Sequence, residues 1–149
     1  MLDLNAKKVV VVGGSSGIGY AAAKLAKSAG AEVVIASREG DRLRKAADAL
    51  GVGAVAADVT DDEAVKRLFE QTGIVDHVAV TAAVLKPGHI KRTPIADARA
   101  TMESKFWGAW RVAHFAEIAP GGSLTLVTGF LQHKTSAELG HCRRGQRRA

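Results

Sequence analysis

The stretch Val9–Tyr20, VVVVGGSSGIGY, passes from a β-branched run through a cluster of glycines into a helical pattern. Lys8–Gly13 (KVVVVG) is apolar without alternation, as a parallel strand covered on both faces requires. From Gly17 onward, Ile18, Ala21, Ala22, Leu25 and Ala26 recur at helical spacing, and Gly30 supplies a stop. The common G-x-G-x-x-G pattern fails, because Ser15 stands at its second glycine; Gly13, Gly17 and Gly19 form G-x-x-x-G-x-G instead. The physical logic is the same. Gly13 permits a tight turn, Gly17 lets the backbone approach a pyrophosphate, and Gly19 lets the helix pack close to the strand. Ser15, Ser16 and Ile18 complete the loop, and the helix N-terminus offers free N–H groups and positive potential to phosphates.

Working outward, the alternation of strand and helix continues. Glu32–Ala36 (EVVIA) is the second strand, Leu43, Ala46, Ala47 and Leu50 mark a helix closed by Gly51, and Gly53–Val59 is the third strand. Thr60-Asp-Asp-Glu63 reads as a capping box, followed by Val65, Leu68 and Phe69 on an inward face. Asp76–Thr81 (DHVAVT) is the fourth strand, a loop with Pro87, Gly88 and Pro94 follows, and a long helix is expected from about Ala96 to Ile118, stopped by Pro120-Gly-Gly. Ser123–Thr128 (SLTLVT) is the fifth strand. Five strands alternating with helices through right-handed crossovers make a Rossmann-type, doubly wound parallel α/β sheet in three layers, αβα, with the first strand near its middle. Residues 1–130 read as one dinucleotide-binding domain and residues 131–149 as an irregular basic tail.

Sites for the nicotinamide dinucleotide without a 2′-phosphate usually carry an acid at the end of the second strand. Here Ala36-Ser37-Arg38 stands there, and Arg38 suits a 2′-phosphate, which it can grip bidentately. NADP(H) is therefore expected over NAD(H). Asp58, followed by Val59, ends the third strand, where its carboxylate can accept from an adenine amino group or cap the Thr60 turn.

The chain of 149 residues is 47% hydrophobic and 24% charged, which suits one globular domain with a sizeable core. No apolar run approaches the roughly 20 residues that cross a bilayer. The single cysteine, Cys142, excludes an internal disulfide and fits a reducing compartment, so the cytoplasm is the expected location. The last nine residues, HCRRGQRRA, hold four arginines and no acid, so the other 140 carry only +2 of the total charge of +6. A basic arm for nucleic acid is the weaker reading of that tail, since it has no aromatic residue. His141 and Cys142 without further partners do not make a metal site, and no metal is expected.

Taken together, these residues resemble the short-chain dehydrogenase/reductases. Val12–Gly19 (VGGSSGIG) is similar to the family's T-G-x-x-x-G-x-G loop, with valine for threonine. Ala36–Arg38 resembles its NADP-preferring branch, Asp58–Thr60 (DVT) its adenine-contacting element, and Gly121–Thr128 (GGSLTLVT) its G-S-I-V-N-V-S-S strand. The resemblance covers Lys7 to about Gly129. It implies hydride transfer between a dinucleotide and an unidentified small carbonyl or alcohol, with Thr81, Ala82 and Ala83 beside the cofactor where the family has N-N-A-G.

The departures bear on activity. Lys105 stands in the N-x-x-G slot as Lys105-Phe106-Trp107-Gly108, and the substrate-orienting serine falls at Gly129, or at Thr128 one register earlier. The family's Tyr-x-x-x-Lys pair, in which a cation pulls a phenol of pKa about 10 toward neutrality, would fall near His141 or Cys142 and Gly145 or Gln146. Tyr20 is the only tyrosine, and it lies on the first helix. No catalytic residue is assigned, and the composition of Gly140–Ala149 suggests a truncated or frame-shifted end. Two alternatives stay open: a non-catalytic sensor or assembly module, and an enzyme whose acid is Lys105 or His141. On the long helix, Met102, Phe106, Ala109, Trp110, Ala113 and Ala116 form a stripe expected to face the sheet, leaving Trp107, Phe115 and Ile118 for a homo-oligomer contact.

Overall fold

The valine run divides itself between two cores, because successive side chains of a strand point to opposite faces. Val9 and Val11 pack with Ala23, Ala26, Ile35 and Leu43 on one face. Val10 and Val12 pack with Val65, Leu68, Val78 and Val112 on the other. The computed structural model describes residues 4–38, 40–86 and 88–128. In chain order these form β1 (Lys8–Val12), α1 (Gly17–Ser28), β2 (Glu32–Ser37), α2 (Asp41–Leu50), β3 (Gly53–Ala56), α3 (Asp62–Thr72), β4 (Val75–Val80), α4 (Ile95–Met102), a π-helical turn (Glu103–Trp107), α5 (Gly108–Phe115) and β5 (Ile118–Leu126). All pairings are parallel, in the order β3-β2-β1-β4-β5. The fold is the doubly wound sheet expected, with α1 and α2 on one face and α3 and α5 on the other. The expected boundary at residue 130 and the 131–149 tail lie outside the described residues.

Four local readings change. On α1 the buried face is Gly19, Ala23 and Ala26, while Ile18 and Leu25 are exposed. Small residues bring this helix close to the sheet, so spacing alone misjudged the contact face. The cap of α3 is Asp61, whose carboxylate accepts from the Ala64 N–H at 3.1 Å. The Thr60 hydroxyl is drawn instead to the Asp58 carboxylate at 2.8 Å, the nearer and stronger acceptor.

The long helix ends at Phe115, because Ile118 pairs with Val75 and the chain must already be extended there. Pro120-Gly-Gly stands inside β5, in an irregularity between the Val75–Ile118 and His77–Ser123 pairs. The helix is also rotated from expectation. Ser104, Gly108 and Val112 face the core, while Met102, Phe106 and Trp110 are 54%, 50% and 60% exposed. The π-helical turn inserts extra chain just where the stripe should have continued inward, which re-aims every residue around it.

Candidate functional site

Strands β2 and β4 flank β1 on opposite sides, so crossovers leave β1 in two directions and open a crevice at the carboxyl ends of the strands. The glycine loop sits there. The Gly13 N–H donates to the Ala36 carbonyl at 2.7 Å, which ties the start of the turn to the end of β2. Across the other side, the Thr81 hydroxyl and the Thr81 and Ala82 N–H groups donate to the Val12 carbonyl at 3.1, 2.8 and 3.1 Å. Glycine is demanded by this crowding. A Cβ at Gly19 would lie 2.3 Å from the Gly13 carbonyl oxygen, and one at Gly13, whose φ is +93°, would lie 2.5 Å from the Ala82 nitrogen.

Gly17 is the opposite case. Its φ is +56°, it lines the crevice, and a Cβ there would meet nothing within 4 Å. Ser16 precedes the helix without a side-chain capping bond, and Ser15 reaches sideways to donate to the Ser37 hydroxyl at 3.0 Å. Gly17, Ile18 and Gly19, which open α1, line the crevice, and the first N–H groups of a helix have no partner within it.

The crevice holds about 330 Å³. Gly13, Ser15, Ser16, Gly17, Ile18, Gly19, Ser37, Arg38, Asp58, Val59, Thr81, Ala82 and Ala83 all line it. Val12, Arg42, Ala57 and Val84 line it as well and escaped the reading of the sequence. Arg42 stands in the first turn of α2, four residues past Arg38 and beyond the end of β2. The two arginines and the helix N-terminus make one end of the crevice suited to anionic groups. Asp58 braces the β3–α3 connection by accepting from the Thr60 N–H and hydroxyl at 2.9 and 2.8 Å. An elongated, phosphate-bearing dinucleotide fits this set: an open cradle at Gly17, cations beside Ser37, and a small-residue wall at Ala82 and Ala83.

Beyond Ala82 the crevice adjoins an apolar groove of about 390 Å³ lined by Val80, Met102, Lys105, Phe106, Trp110 and Leu126. Lys105 projects from the π-helical turn and its ammonium donates to the Val127 carbonyl. Next to it the buried Ser104 hydroxyl accepts from the Val84 N–H at 2.9 Å, latching the loop after β4 to the same turn. Tyr20 and Lys24 do share the spacing Tyr-x-x-x-Lys on α1, which the sequence reading passed over. Tyr20 packs against the core on the α1 side of the sheet and lines a separate hollow with Asp41 and Lys45. That pair does not line the crevice. Gly129, His141, Cys142, Gly145 and Gln146, named above as possible catalytic positions, lie outside the described residues.

A three-layer parallel α/β domain with a glycine-rich turn between β1 and α1 is a nucleotide-binding class of protein. The chain belongs to the short-chain dehydrogenase/reductase family: residues 12–139 match the profile described as Enoyl-(Acyl carrier protein) reductase. It is 38% identical over 123 residues to a 1-deoxy-11-beta-hydroxypentalenate dehydrogenase of Streptomyces exfoliatus, covering 75% of this chain and 45% of that protein. It is 30% identical over 117 residues to a 3-dehydrosphinganine reductase of Arabidopsis thaliana, covering 74% of this chain and 36% of that one. Among solved structures, a short chain dehydrogenase/reductase family protein superposes with a TM-score of 0.76 at 28% identity, over 83% of this chain and 55% of that one. The chain thus spans less than half the length of these curated relatives. Among the described residues, no helix is long and apolar enough to cross a membrane.

Proposed function

We propose that the chain is the NADP(H)-binding part of a short-chain dehydrogenase/reductase acting on a carbonyl or alcohol. The observation that carries the reading is the single crevice in which the glycine turn, Arg38, Asp58 and the Thr81–Ala83 wall converge. The dinucleotide, when bound, supplies or accepts the hydride. The chain's own residues hold it: Gly13, Ser15, Ser16, Gly17, Ile18 and Gly19 at the pyrophosphate, Ser37 and Arg38 at the 2′-phosphate, Asp58 and Val59 at adenine, and Thr81, Ala82 and Ala83 along the inner ribose. Arg42, which the crevice adds, joins Arg38 there.

Acid–base chemistry is the missing half. No tyrosine follows Tyr20 in the 149 residues, so these residues alone bind the dinucleotide without turning over a carbonyl. The cytoplasm is the proposed setting. Of the expected contact face, Phe115 and Ile118 pack against the core and Trp107 is exposed; a homo-oligomer is proposed through Trp107 together with the exposed Phe106 and Trp110. Relatives act on a pentalenate and on a dehydrosphinganine; an apolar substrate seated near the groove is consistent with both. Fluorescence titration with NADPH and NADH tests the reading. NADPH should bind at least about tenfold more tightly, the worth of one charge-assisted hydrogen bond. Arg38→Ala should narrow that difference, leaving the part that Arg42 supplies. Equal affinities in the unmodified chain would overturn the NADP(H) preference, and no binding of either would overturn the reading.

A further inference from the structure

Arg111 does not line the crevice, yet it grips one of its walls from behind. Its guanidinium donates to the Asp62 carboxylate, to Glu103 at 2.5 Å, and through Nη1 to the Val59 carbonyl at 3.3 Å. The side chain is only 18% exposed. Asp62 opens α3 and Glu103 opens the π-helical turn, so two carboxylates on different elements fix where the third donor can point. Gly108, one turn earlier on the same helix, touches the same residue: a Cβ there would lie 2.9 Å from the Val59 Cβ and Cγ2. Val59 also lines the crevice, beside Asp58.

We propose that Arg111 and Gly108 are positioning residues that set the adenine wall of the crevice by holding Val59 in place. This rests on the dinucleotide reading above, with adenine at Asp58–Val59. Only five residues, Ala57–Asp61, connect β3 to α3. Asp58 stiffens that connection internally, through Thr60. Towards other elements, Ala57 donates to the Ser37 carbonyl at 2.9 Å on one side, and Val59 accepts from Arg111 on the other. Releasing Arg111 lets the wall recede, and adding a methyl at Gly108 drives it toward the ligand. Both change the fit to adenine and leave the phosphate cradle untouched.

The test measures binding of NADPH, 2′,5′-ADP and reduced nicotinamide mononucleotide to the whole chain by calorimetry, with a thermal melt of each variant. Arg111→Met should weaken NADPH and 2′,5′-ADP by about tenfold each, the worth of one hydrogen bond to a charged donor. The mononucleotide, which lacks adenine, should bind as to the unmodified chain. Gly108→Ala should produce the same selective loss with Arg111 intact, and Arg111→Lys, which keeps the charge without the fork, a smaller one. Should Arg111→Met not fold, Gly108→Ala and Arg111→Lys carry the comparison. A folded variant that binds 2′,5′-ADP as the unmodified chain does, or that loses all three ligands equally, overturns the proposal alone. An unmodified chain that binds neither NADPH nor 2′,5′-ADP overturns the dinucleotide reading itself and this proposal with it.

Discussion

Replacing Gly19 and Gly17 separately by alanine should divide folding from binding, although the two glycines are two residues apart in one turn. At Gly19 the new methyl would sit 2.3 Å from the Gly13 carbonyl oxygen and 2.5 Å from the Thr81 hydroxyl, where ordinary contact begins at 3.4 Å. Relief needs a movement on the order of 1 Å, and one of the two obstacles is main chain. Overpacking of this kind costs about 1–3 kcal/mol. Displacing the Thr81 hydroxyl from the Val12 carbonyl forfeits about 0.5–1.5 kcal/mol more. The better helix propensity of alanine returns about 1 kcal/mol. The balance is a loss of about 0.5–3.5 kcal/mol, a drop of ~1–14 °C in Tm for a domain of this size.

At Gly17 the methyl meets no atom within 4 Å, and the only local cost is a left-handed backbone at φ +56°. That is worth about 1–2 kcal/mol, partly offset by a stiffer unfolded chain. The methyl, however, occupies the mouth of the crevice where the pyrophosphate must approach. Urea unfolding followed by circular dichroism, and NADPH fluorescence titration, measure the two effects. Gly19→Ala should show the larger loss of stability, and Gly17→Ala should bind NADPH at least ~30-fold more weakly, about 2 kcal/mol. Gly19→Ala as stable as the parent, or Gly17→Ala that binds within threefold of it, would refute the reasoning. Gly17→Val should block binding more completely still.

Four further outcomes are expected. Arg42→Ala should weaken NADPH several-fold and leave NADH unchanged, by the same titration; equal losses would place Arg42 outside the 2′-phosphate subsite. Steady-state assays of the purified chain with NADPH and a carbonyl should stay at background, and Lys105→Ala should not alter them; turnover that this substitution removes would make Lys105 the acid. Trp107→Glu should lower the apparent mass in light scattering across a concentration series, whereas a parent already monomeric at high concentration would show that the aromatic ridge is no interface. The Lys7 ammonium and then the Lys8 N–H, each 2.9 Å away, hold the Asp76 carboxyl below its ordinary pKa. That stabilisation is complete above the unfolded value of about pH 4 and fades as the pH falls toward the lower folded value. The stability gap between the parent and Asp76→Asn should therefore be flat from about pH 5 to 8 and close below about pH 4; a gap that widens with acid would reverse the assignment.

How much of this was legible in the residues depends on the range of the interactions concerned. The strand–turn–helix at Val9–Tyr20 rests on local chemistry: β-branched runs, glycines that alone accept the turn, and a helix start that follows at once. The crevice was legible for the same reason, since in a parallel α/β sheet the ends of successive strands come together at one edge. A residue at the end of a strand is thus placed by its position in the chain. Arg42 and Val84 were passed over because they lie beyond the strand ends, on segments whose direction a pattern does not specify.

Contacts between distant elements followed no such rule. The face of the long helix was misjudged because an inserted π-helical turn shifts its periodicity, and no propensity of Glu103–Trp107 announces it. The helix ended early because Ile118 had a strand to join. The reach of Lys105 to Val127, the latch of Ser104 on Val84, and the grip of Arg111 on Val59 each join residues 20 to 52 positions apart. Sequence alone determined the nucleotide-binding scaffold, because glycine turns and β-branched strands act through neighbours in the chain. Tertiary structure alone decided which side of the last helix meets the core, because that choice belongs to packing and pairing between segments that meet only in the folded chain.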